Sequence, residues 1–248
     1  DIEANKAAVA TIREQDDDQF IVARASDPVT EDELDELGAD AVINPSEVIA
    51  NSALRSLESG ELEYKTNQLA AIFESSTDSV AIVTQTNPDP DSIASAAALE
   101  AIAEAHGAEA DIRYDGDIGH QENRAFVNVL GIKLTSGSQE QTLSSYDVIA
   151  LVDHADFAIP GLDGTVDIVI DHCEPEEEID ANFSDIRPSM SATSTILTKY
   201  LQEFDMSPTE VVATALLYGI RSETFDFKRE TSPADLTAAA YLYPFADH

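Results

Sequence analysis

The sequence predicts an α/β protein with a parallel sheet, preceded by a smaller βαβ unit. Short apolar runs alternate with helical segments along most of the 248 residues. Two of these runs, at 148–152 and 166–170, are almost continuously apolar, which is typical of parallel strands buried on both faces. Acidic residues directly follow both runs, where open parallel sheets hold their ligands.

Composition narrows the class of protein. The chain carries 49 acidic and 13 basic side chains, a formal charge of −36. Since nucleic-acid-binding surfaces are normally basic, this balance disfavours a long nucleic acid as partner at ordinary salt. The acidity is spread along the chain in the style of salt-in halophile proteins, whose molar salt screens charge. No apolar run approaches a membrane span, and no signal peptide is visible. The single cysteine, Cys173, suits a reducing cytoplasmic compartment.

The first part of the chain alternates helix and strand, a pattern that implies parallel strands with short connections. The predicted helices cover 1–14, 30–37 and 45 to about 57, and the predicted strands cover 19–24 and 41–43. We expect one domain over 1–62 and a helical linker over 63–77. The chain begins at Asp1 rather than Met, which indicates a piece of a longer protein.

Residues 21–25 and 37–45 resemble the second half of a TrkA-N domain, the NAD-binding Rossmann module of potassium-channel and transporter regulators. The resemblance implies a partial Rossmann-like βαβ unit. A G-x-G-x-x-G fingerprint, which holds the dinucleotide pyrophosphate, is not found in this sequence. NAD is therefore expected only in an intact N-terminal domain. A βαβ edge without a ligand is the alternative.

A second α/β pattern begins near residue 78. Its predicted strands cover 80–84, 110–114, 148–152 and 166–170, and its predicted helices cover 92–106, 123–130, 189–204, 208–220 and 233–242. Pro188-Ser189 and Ser232-Pro233 mark two of the helix starts.

Carboxylates and one imidazole cluster after these predicted elements. They are Asp89 and Asp91 after the strand at 80–84, Asp153, Asp171 with His172, and Glu223. Carboxylates with an imidazole suit Mn²⁺ or Mg²⁺. Two such ions about 3.5–4 Å apart are the arrangement used in phosphoester hydrolysis. The alternative is that an aspartate at a helix start only caps the helix, which fits one of the pair Asp89 and Asp91 better than both.

Four motifs, in order, resemble those of the DHH phosphoesterases, which include RecJ-like exonucleases, nano-RNA and pAp phosphatases, and cyclic-dinucleotide phosphodiesterases. They are Asn87-Pro88-Asp89-Pro90-Asp91, Val152-Asp153, Ile170-Asp171-His172-Cys173, and Gly219-Ile220-Arg221-Ser222-Glu223-Thr224. The resemblance covers about 78–248 and implies a parallel-sheet DHH phosphoesterase domain there. Members of the family continue into a smaller substrate-binding domain, which we expect to be missing from this chain.

The resemblance also implies metal ligands. Asp89 would bind the first ion and Asp91 the second, with Asp153 bridging both. His172 and Glu223 would complete the second ion. In this scheme, Asp171 orients His172 and a hydroxide bridging two Mn²⁺ (or Mg²⁺) ions attacks phosphorus.

Three residues depart from the family pattern. Asn87 stands where most members have a metal-binding histidine, so we expect a weaker first site. Cys173 replaces a histidine that faces the substrate phosphate in the family, and Glu223 replaces an aspartate.

Further polar residues are expected to contact substrate. Asn123 and Arg124 match a similar family loop, and an arginine fork suits phosphate. For His120, the sequence leaves open whether it contacts a ligand or makes a hydrogen bond within the loop. For Arg124, it leaves open whether the side chain binds a phosphate or forms an ion pair. Arg187 and the helix start at 189–194 could offer donors to an anion.

These expectations together favour a metal-dependent hydrolase. The predicted substrate is a phosphodiester or phosphomonoester in a small nucleotide, such as a cyclic dinucleotide, a short oligoribonucleotide or pAp. The alternatives are a non-catalytic nucleotide- or NAD-sensing module linked to potassium transport, and a RecJ-like single-strand exonuclease. The absence of basic stripes and aromatic stacking runs argues against the exonuclease. A homodimer stays open.

Overall fold

The computed structural model describes residues 2–16, 18–75, 79–118, 121–136, 143–154, 166–175 and 179–247. The chain forms two compact units, Asp1–Glu61 and Leu62–His248. The predicted division into 1–62, a linker over 63–77 and a domain over 78–248 stays a prediction. The helix predicted to end near residue 57 is longer than predicted, because one helix, α3, runs continuously over Pro45–Ser75 and includes most of the predicted helical linker.

The first unit is a small parallel βαβ arrangement. It contains α1 (Ile2–Gln15), β1 (Val22–Arg24), α2 (Pro28–Glu36), β2 (Ala41–Ile43) and the start of α3. Strands β1 and β2 are parallel. The Asp27 carboxylate accepts the N–H of Thr30 and so caps α2, whose first residue is proline. Val9, Ala23 and Leu34 lie in its core.

The second unit is built on one six-stranded sheet. Its strands are β3 (Ser79–Val83), β4 (Glu109–Tyr114), β5 (Leu134–Ser136), β6 (Val148–Val152), β7 (Val166–Asp171) and β8 (Ala181–Ile186). Its helices are α4 (Pro90–Ala105), α5 (Gln121–Leu130), α6 (Thr193–Glu203), α7 (Glu210–Glu223) and α8 (Pro233–Leu242), with a 3-10 turn at Leu143–Ser145. The strand order is β5-β4-β3-β6-β7-β8, and all neighbours are parallel.

The predicted α/β class and parallel sheet are confirmed. The sequence pattern assigns neither β5 nor β8, and these two strands form the edges of the sheet. The predicted helix over 189–204 begins later, at Thr193.

Helix α4 occupies the centre of this unit. Its first ten residues, from Pro90 to Leu99, are all buried, because they pack against the sheet as well as against α6 and α7. Small side chains permit this close packing. Gly219 of α7 shows the limit: an added Cβ would lie 3.2 Å from the Cα of Asp91 and 2.4 Å from the Oγ of Ser194. Among the described helices, none combines the length and apolar character needed to cross a bilayer.

Candidate metal centre

The acidic residues lie at the carboxyl edge of the sheet, at the point where the strand order reverses between β3 and β6. Strand β3 is followed in the chain by β4 on one side of it, and its other neighbour, β6, is followed by β7 on the opposite side, so the connections from β3 and β6 run in opposite directions. Crevices at the carboxyl ends of strands at such a switch point are the usual ligand sites of open α/β sheets. Asp89, Asp153 and Asp171 lie at the carboxyl ends of β3, β6 and β7.

Asp153 has an unusual backbone and a crowded carboxylate. Its φ is 54°, in the left-handed region, while its N–H donates to the carbonyl of Ile170 on β7 at 2.9 Å. Its carboxylate accepts the hydroxyl of Ser92, and that of Thr193 at 2.9 Å. The Nδ1 of His172 lies 3.2 Å from Oδ1. Asp153 thus connects β6 with α4, α6 and the end of β7.

Asp91 is fully buried near the start of α4 and points at another helix. Its two oxygens accept the backbone N–H groups of Thr193 at 2.8 Å and Ser194 at 2.9 Å. The residue at the N-cap position of α6, Ala192, makes no side-chain capping bond. Asp91 therefore caps α6 across the tertiary structure, and the positive end of the α6 dipole faces its charge.

His172 follows β7 and turns its ring toward these two carboxylates. Its Nδ1 lies 3.0 Å from the Thr193 hydroxyl and 3.7 Å from Asp91 Oδ2. We call Asp91, Asp153 and His172 the inner cluster; a ligand atom from each lies within 4.8 Å of the others. Asp171 Oδ1 accepts the N–H of Cys173 at 2.8 Å but lies 3.8 Å from His172 Nδ1. The His172 ring nitrogen Nδ1 is therefore within hydrogen-bonding distance of Thr193 and Asp153 rather than of Asp171. Orientation of the ring by Asp171 stays a prediction.

Asp89 and Glu223, which we call the outer pair, face the same cavity of about 450 Å³. Asp89 caps α4 through the Ser92 N–H at 2.9 Å and accepts the Gln85 amide at 2.6 Å. Glu223 is the last residue of α7. Its carboxylate has no hydrogen-bond donor among the residues that the structure describes.

Burial and mutual repulsion make the charges of this site costly. Burial, and after it the charge of Asp153, raises the pKa of Asp91 well above its usual range and also raises the pKa of Asp89. Burial and the charge of Asp89 raise the pKa of Glu223 to about 7. Burial also raises the pKa of Asp171 to about 6.

His172 and Asp153 behave as an ion pair within this cluster. Burial opposes the ionisation of Asp153, but the hydrogen bonds from His172 and Ser92 outweigh it and lower its pKa. Burial likewise opposes the charged form of His172, yet the Asp153 hydrogen bond and the nearby charge of Asp91 raise its pKa to about 9. The raised pKa of His172 favours the imidazolium form beside the carboxylates of Asp91 and Asp153 in the metal-free protein.

The donor set fits a divalent cation. Two buried carboxylates and an imidazole converge in the inner cluster, and Asp171, His172 and Cys173 form an adjoining group whose ligand atoms lie within 4.8 Å of one another. The carboxyl groups with raised pKa values indicate that the site favours added positive charge. Oxygen and imidazole donors suit hard or borderline ions, whereas the Cys173 thiol is a soft donor.

The other predicted site residues occupy different surroundings. The Asn87 Oδ1 accepts the N–H of Asp117 at 2.8 Å, so its amide supports the loop after β4. Asn123 is buried and its amide donates to the Pro88 carbonyl at 3.4 Å. Both contacts hold the 87–91 turn in place. Asn87 as a ligand and Asn123 as a substrate contact stay predictions.

Both predicted arginines are engaged with aspartates. Arg124 donates to the carboxylate of Asp117 at 2.9 Å, and its side chain is about half exposed. The Arg187 Nε donates to both oxygens of the buried Asp185. The exposed Cys173 lines the cavity, and burial with the charge of Asp171 raises its thiol pKa to about 11. His120 lies outside the described residues.

The sequence pattern misses three residues that organise the site. Gln85 donates to Asp89 and Ser92, Ser92 donates to Asp153, and Thr193 contacts all three members of the inner cluster. Thr193 lies in the stretch 189–194, whose helix start is predicted to receive an anion. The structure provides that anion from the chain itself, since Asp91 takes the N–H groups of residues 193 and 194.

An open parallel α/β sheet with an acidic centre at its switch point is also found in known proteins. Residues 79–220 match the DHH family, N-terminal domain, and residues 1–45 match the TrkA-N domain. The chain is 38% identical over 260 residues to the uncharacterised protein MJ1633 of Methanocaldococcus jannaschii. That alignment covers 99% of this chain and 54% of the relative, so the chain spans about half the length of the curated relative it matches.

Two solved structures share the fold. One is a putative family II inorganic pyrophosphatase of Methanococcus jannaschii, with a TM-score of 0.53 and 23% identity over 67% of this chain and 56% of that one. The other is an exopolyphosphatase-related protein of Bacteroides fragilis, with a TM-score of 0.53 and 15% identity over 73% of this chain and 56% of that one.

Because the DHH match covers more than half of its residues, the chain belongs to the DHH family. The predicted resemblances to DHH and TrkA-N domains are both confirmed.

Proposed function

We propose that this protein hydrolyses a phosphoester bond in a small nucleotide with the help of divalent metal ions. The observation that carries the proposal is the convergence of Asp153, Asp91 and His172 at the switch point of the sheet, beside the outer pair. Membership of the DHH family supports the same reaction class.

The inner cluster and the outer pair would hold the ions, with Mn²⁺ as the preferred metal and Mg²⁺ as the alternative. When bound, two divalent ions generate a nucleophile at neutral pH and stabilise charge on the attacking and leaving oxygens. The contribution of the chain is rigidity. Ser92 and Thr193 orient Asp153, and the two N–H groups at the start of α6 orient Asp91, so these ligands need little rearrangement.

The charge of the cavity supports a substrate with few negative charges. The metal-site cavity opens beside a second cavity of about 390 Å³, and both are lined by His172, Cys173 and Glu223. The described lining residues of the two cavities include Glu174 and Glu230 but no lysine or arginine. Each phosphodiester group carries one negative charge, so a cyclic dinucleotide carries two, whereas pyrophosphate and polyphosphate carry more. This balance favours a phosphodiester such as a cyclic dinucleotide.

The test is a hydrolysis assay on the full-length protein with Mn²⁺ in molar KCl. Bis-p-nitrophenyl phosphate and cyclic di-AMP are the phosphodiester substrates, pAp is the phosphomonoester, and inorganic pyrophosphate is the polyanionic comparison. We expect turnover of the phosphodiesters that disappears on chelation. Faster turnover of pyrophosphate would overturn the substrate class, and absence of all turnover would overturn the enzymatic function.

The match of residues 1–45 to the TrkA-N domain favours one second candidate, a nucleotide-sensing regulatory module without catalysis. Tight binding of a nucleotide by the full-length protein, together with no turnover in the same assay, would support it. Preferential degradation of long single-stranded DNA would instead support the exonuclease alternative.

A further inference from the structure

We infer that the first turn of α6 sets the ligand positions of the inner cluster, and that Thr193 is its positioning residue. This inference rests on the metal centre of the proposed function, but not on the reaction or the substrate. Thr193 does not belong to any of the four motifs that resemble the DHH phosphoesterases.

The first step of the argument is that one residue contacts the whole inner cluster. The Thr193 hydroxyl donates to Asp153 Oδ1 at 2.9 Å and accepts the backbone N–H of His172 at 3.2 Å. The same oxygen lies 3.0 Å from His172 Nδ1, and the Thr193 backbone N–H donates to Asp91 Oδ2 at 2.8 Å. Thr193 therefore connects residues at the ends of β6 and β7 with a residue in the first turn of α4.

The second step is that these contacts cannot be exchanged for water. Thr193 has no exposed surface, and neither has Ser194, whose N–H holds the other oxygen of Asp91. Removal of the hydroxyl would leave Asp153 Oδ1 and the His172 N–H without this partner in a buried site. Without this hydrogen-bond partner, the Asp153 carboxylate and the His172 imidazole are less well oriented. Part of the free energy of metal binding is then used to orient them, so the affinity for the ion falls.

The third step separates positioning from simple structural support. Thr198, on the same helix and equally buried, donates its hydroxyl to the Ser194 carbonyl one turn earlier, and its side chain has no other hydrogen bond among the described residues. Its contact supports α6 but does not reach the inner cluster. Thr193→Val and Thr198→Val therefore remove the same chemical group from the same helix, and they differ in whether metal ligands lose a partner.

The experiment measures Mn²⁺ binding to the full-length protein by electron paramagnetic resonance and calorimetry, with thermal unfolding of the metal-free protein as a check on folding. We expect Thr193→Val to weaken the tightest Mn²⁺ site by about 10- to 100-fold. Thr193→Ser, which keeps the hydroxyl, should bind within about threefold of the wild type, and Thr198→Val should bind like the wild type.

Equal Mn²⁺ affinity in Thr193→Val and Thr198→Val would overturn the inference. If Thr193→Val fails to fold, Thr193→Ala takes its place under the same criterion. Failure of the hydrolysis assay with this affinity pattern intact would overturn only the proposed function. If hydrolysis is present but Thr193→Val keeps its affinity, only the positioning role is overturned.

Discussion

Asp153 and His172 of the inner cluster line the same cavity as the outer pair, but the two groups are built differently. Asp91 is held by two backbone N–H groups and Asp153 by two hydroxyls, and the His172 imidazolium lies against both. Asp89 is held by the Gln85 amide and by the N-terminus of its own helix, while Glu223 has no donor among the described residues. The fold preorganises the inner cluster and leaves the outer pair to be organised by what binds there.

This difference predicts an order of binding. Preorganised ligands cost little to immobilise, so the inner cluster should fill at the lower metal concentration. At Glu223, whose pKa burial and the charge of Asp89 raise to about 7, a proton competes with an ion near neutral pH. Protons compete at the inner cluster as well, because the pKa values of Asp91 and His172 are also raised, so the expected order rests on preorganisation alone. Of the outer pair, Asp89 is the predicted ligand of the first ion, so the weaker first site that Asn87 leads us to expect would lie beside it, whereas the family resemblance implies that Glu223 completes the second ion.

We expect the largest effect from replacing Asp153, because this residue is close to both parts of the site. Its charge reaches Asp91 of the inner cluster as well as Asp89 and Glu223 of the outer pair. We expect Asp153→Asn to lower Mn²⁺-dependent hydrolysis by more than about 100-fold and to weaken binding of both ions. The control is Asp167→Asn on β7, whose carboxylate contacts the Ile149 N–H and Asn182 instead. An Asp153 variant with normal binding of either ion would contradict the bridging role.

Asp89→Asn should have a smaller effect. Asparagine caps helices about as well as aspartate, so α4 should keep its start and the metal-free protein its stability. We expect a loss of about tenfold in affinity, confined to the weaker ion. Titration of Mn²⁺ by calorimetry would show whether the tighter site is spared. Losses equal to those of Asp153→Asn would mean that the two parts of the site do not differ.

The strand-end aspartates of this site are predictable because their signal is local. An apolar run followed by Asp153 or Asp171 is visible within a few residues, and parallel strands bring such ends to one edge. The contact of Asp91 with the N–H groups of Thr193 and Ser194 spans about a hundred residues. Local pattern carries no information about that distance, so the most rigid part of the site is the least visible in the sequence.

Similar reasons explain what else was missed. Strand β5 has three residues, all partly exposed, and β8 mixes polar and apolar residues at a sheet edge, so neither has a continuous apolar run. Helix α3 is exposed over much of its length and lacks the apolar periodicity that would mark one continuous helix. The orientation of the Asn87 side chain could not be predicted for a different reason. Its backbone has a φ of 60°, and its amide oxygen accepts the N–H of Asp117, a residue 30 positions away in the sequence.

Replacing Glu223 by glutamine tests the outer pair through the pH dependence of stability. Folding raises the pKa of Glu223 from its ordinary value of about 4.5 to about 7, so the native state binds an extra proton between these pH values. Stability therefore falls as pH rises from 4.5 to 7, and the ionised carboxylate remains unfavourable above pH 7. Glutamine lacks this charge. We expect the metal-free variant to be more stable than the wild type at pH 8 by on the order of 1 kcal/mol, after allowance for screening.

Chemical denaturation in the presence of a chelator from pH 4.5 to 8.5 measures this effect. The difference between variant and wild type should shrink toward pH 4.5, where the wild-type carboxyl group is largely protonated in the native state. Saturating Mn²⁺ should remove the advantage of the variant, because the ion then stabilises the wild-type carboxylate. A stability difference that does not change with pH would show that Glu223 is not destabilised by its surroundings.

The smallest effect is expected outside both parts of the centre, at Arg124. Its guanidinium forms a surface ion pair with Asp117, and such pairs contribute up to about 1 kcal/mol. Arg124→Ala should therefore leave Mn²⁺ affinity and kcat unchanged and raise KM for a phosphodiester by less than about tenfold. The matched variant Asp117→Asn removes the partner and leaves the arginine available to substrate, so its KM should not rise. A large fall in kcat for Arg124→Ala would move this residue into the catalytic machinery and end the separation between a rigid centre and a tolerant rim.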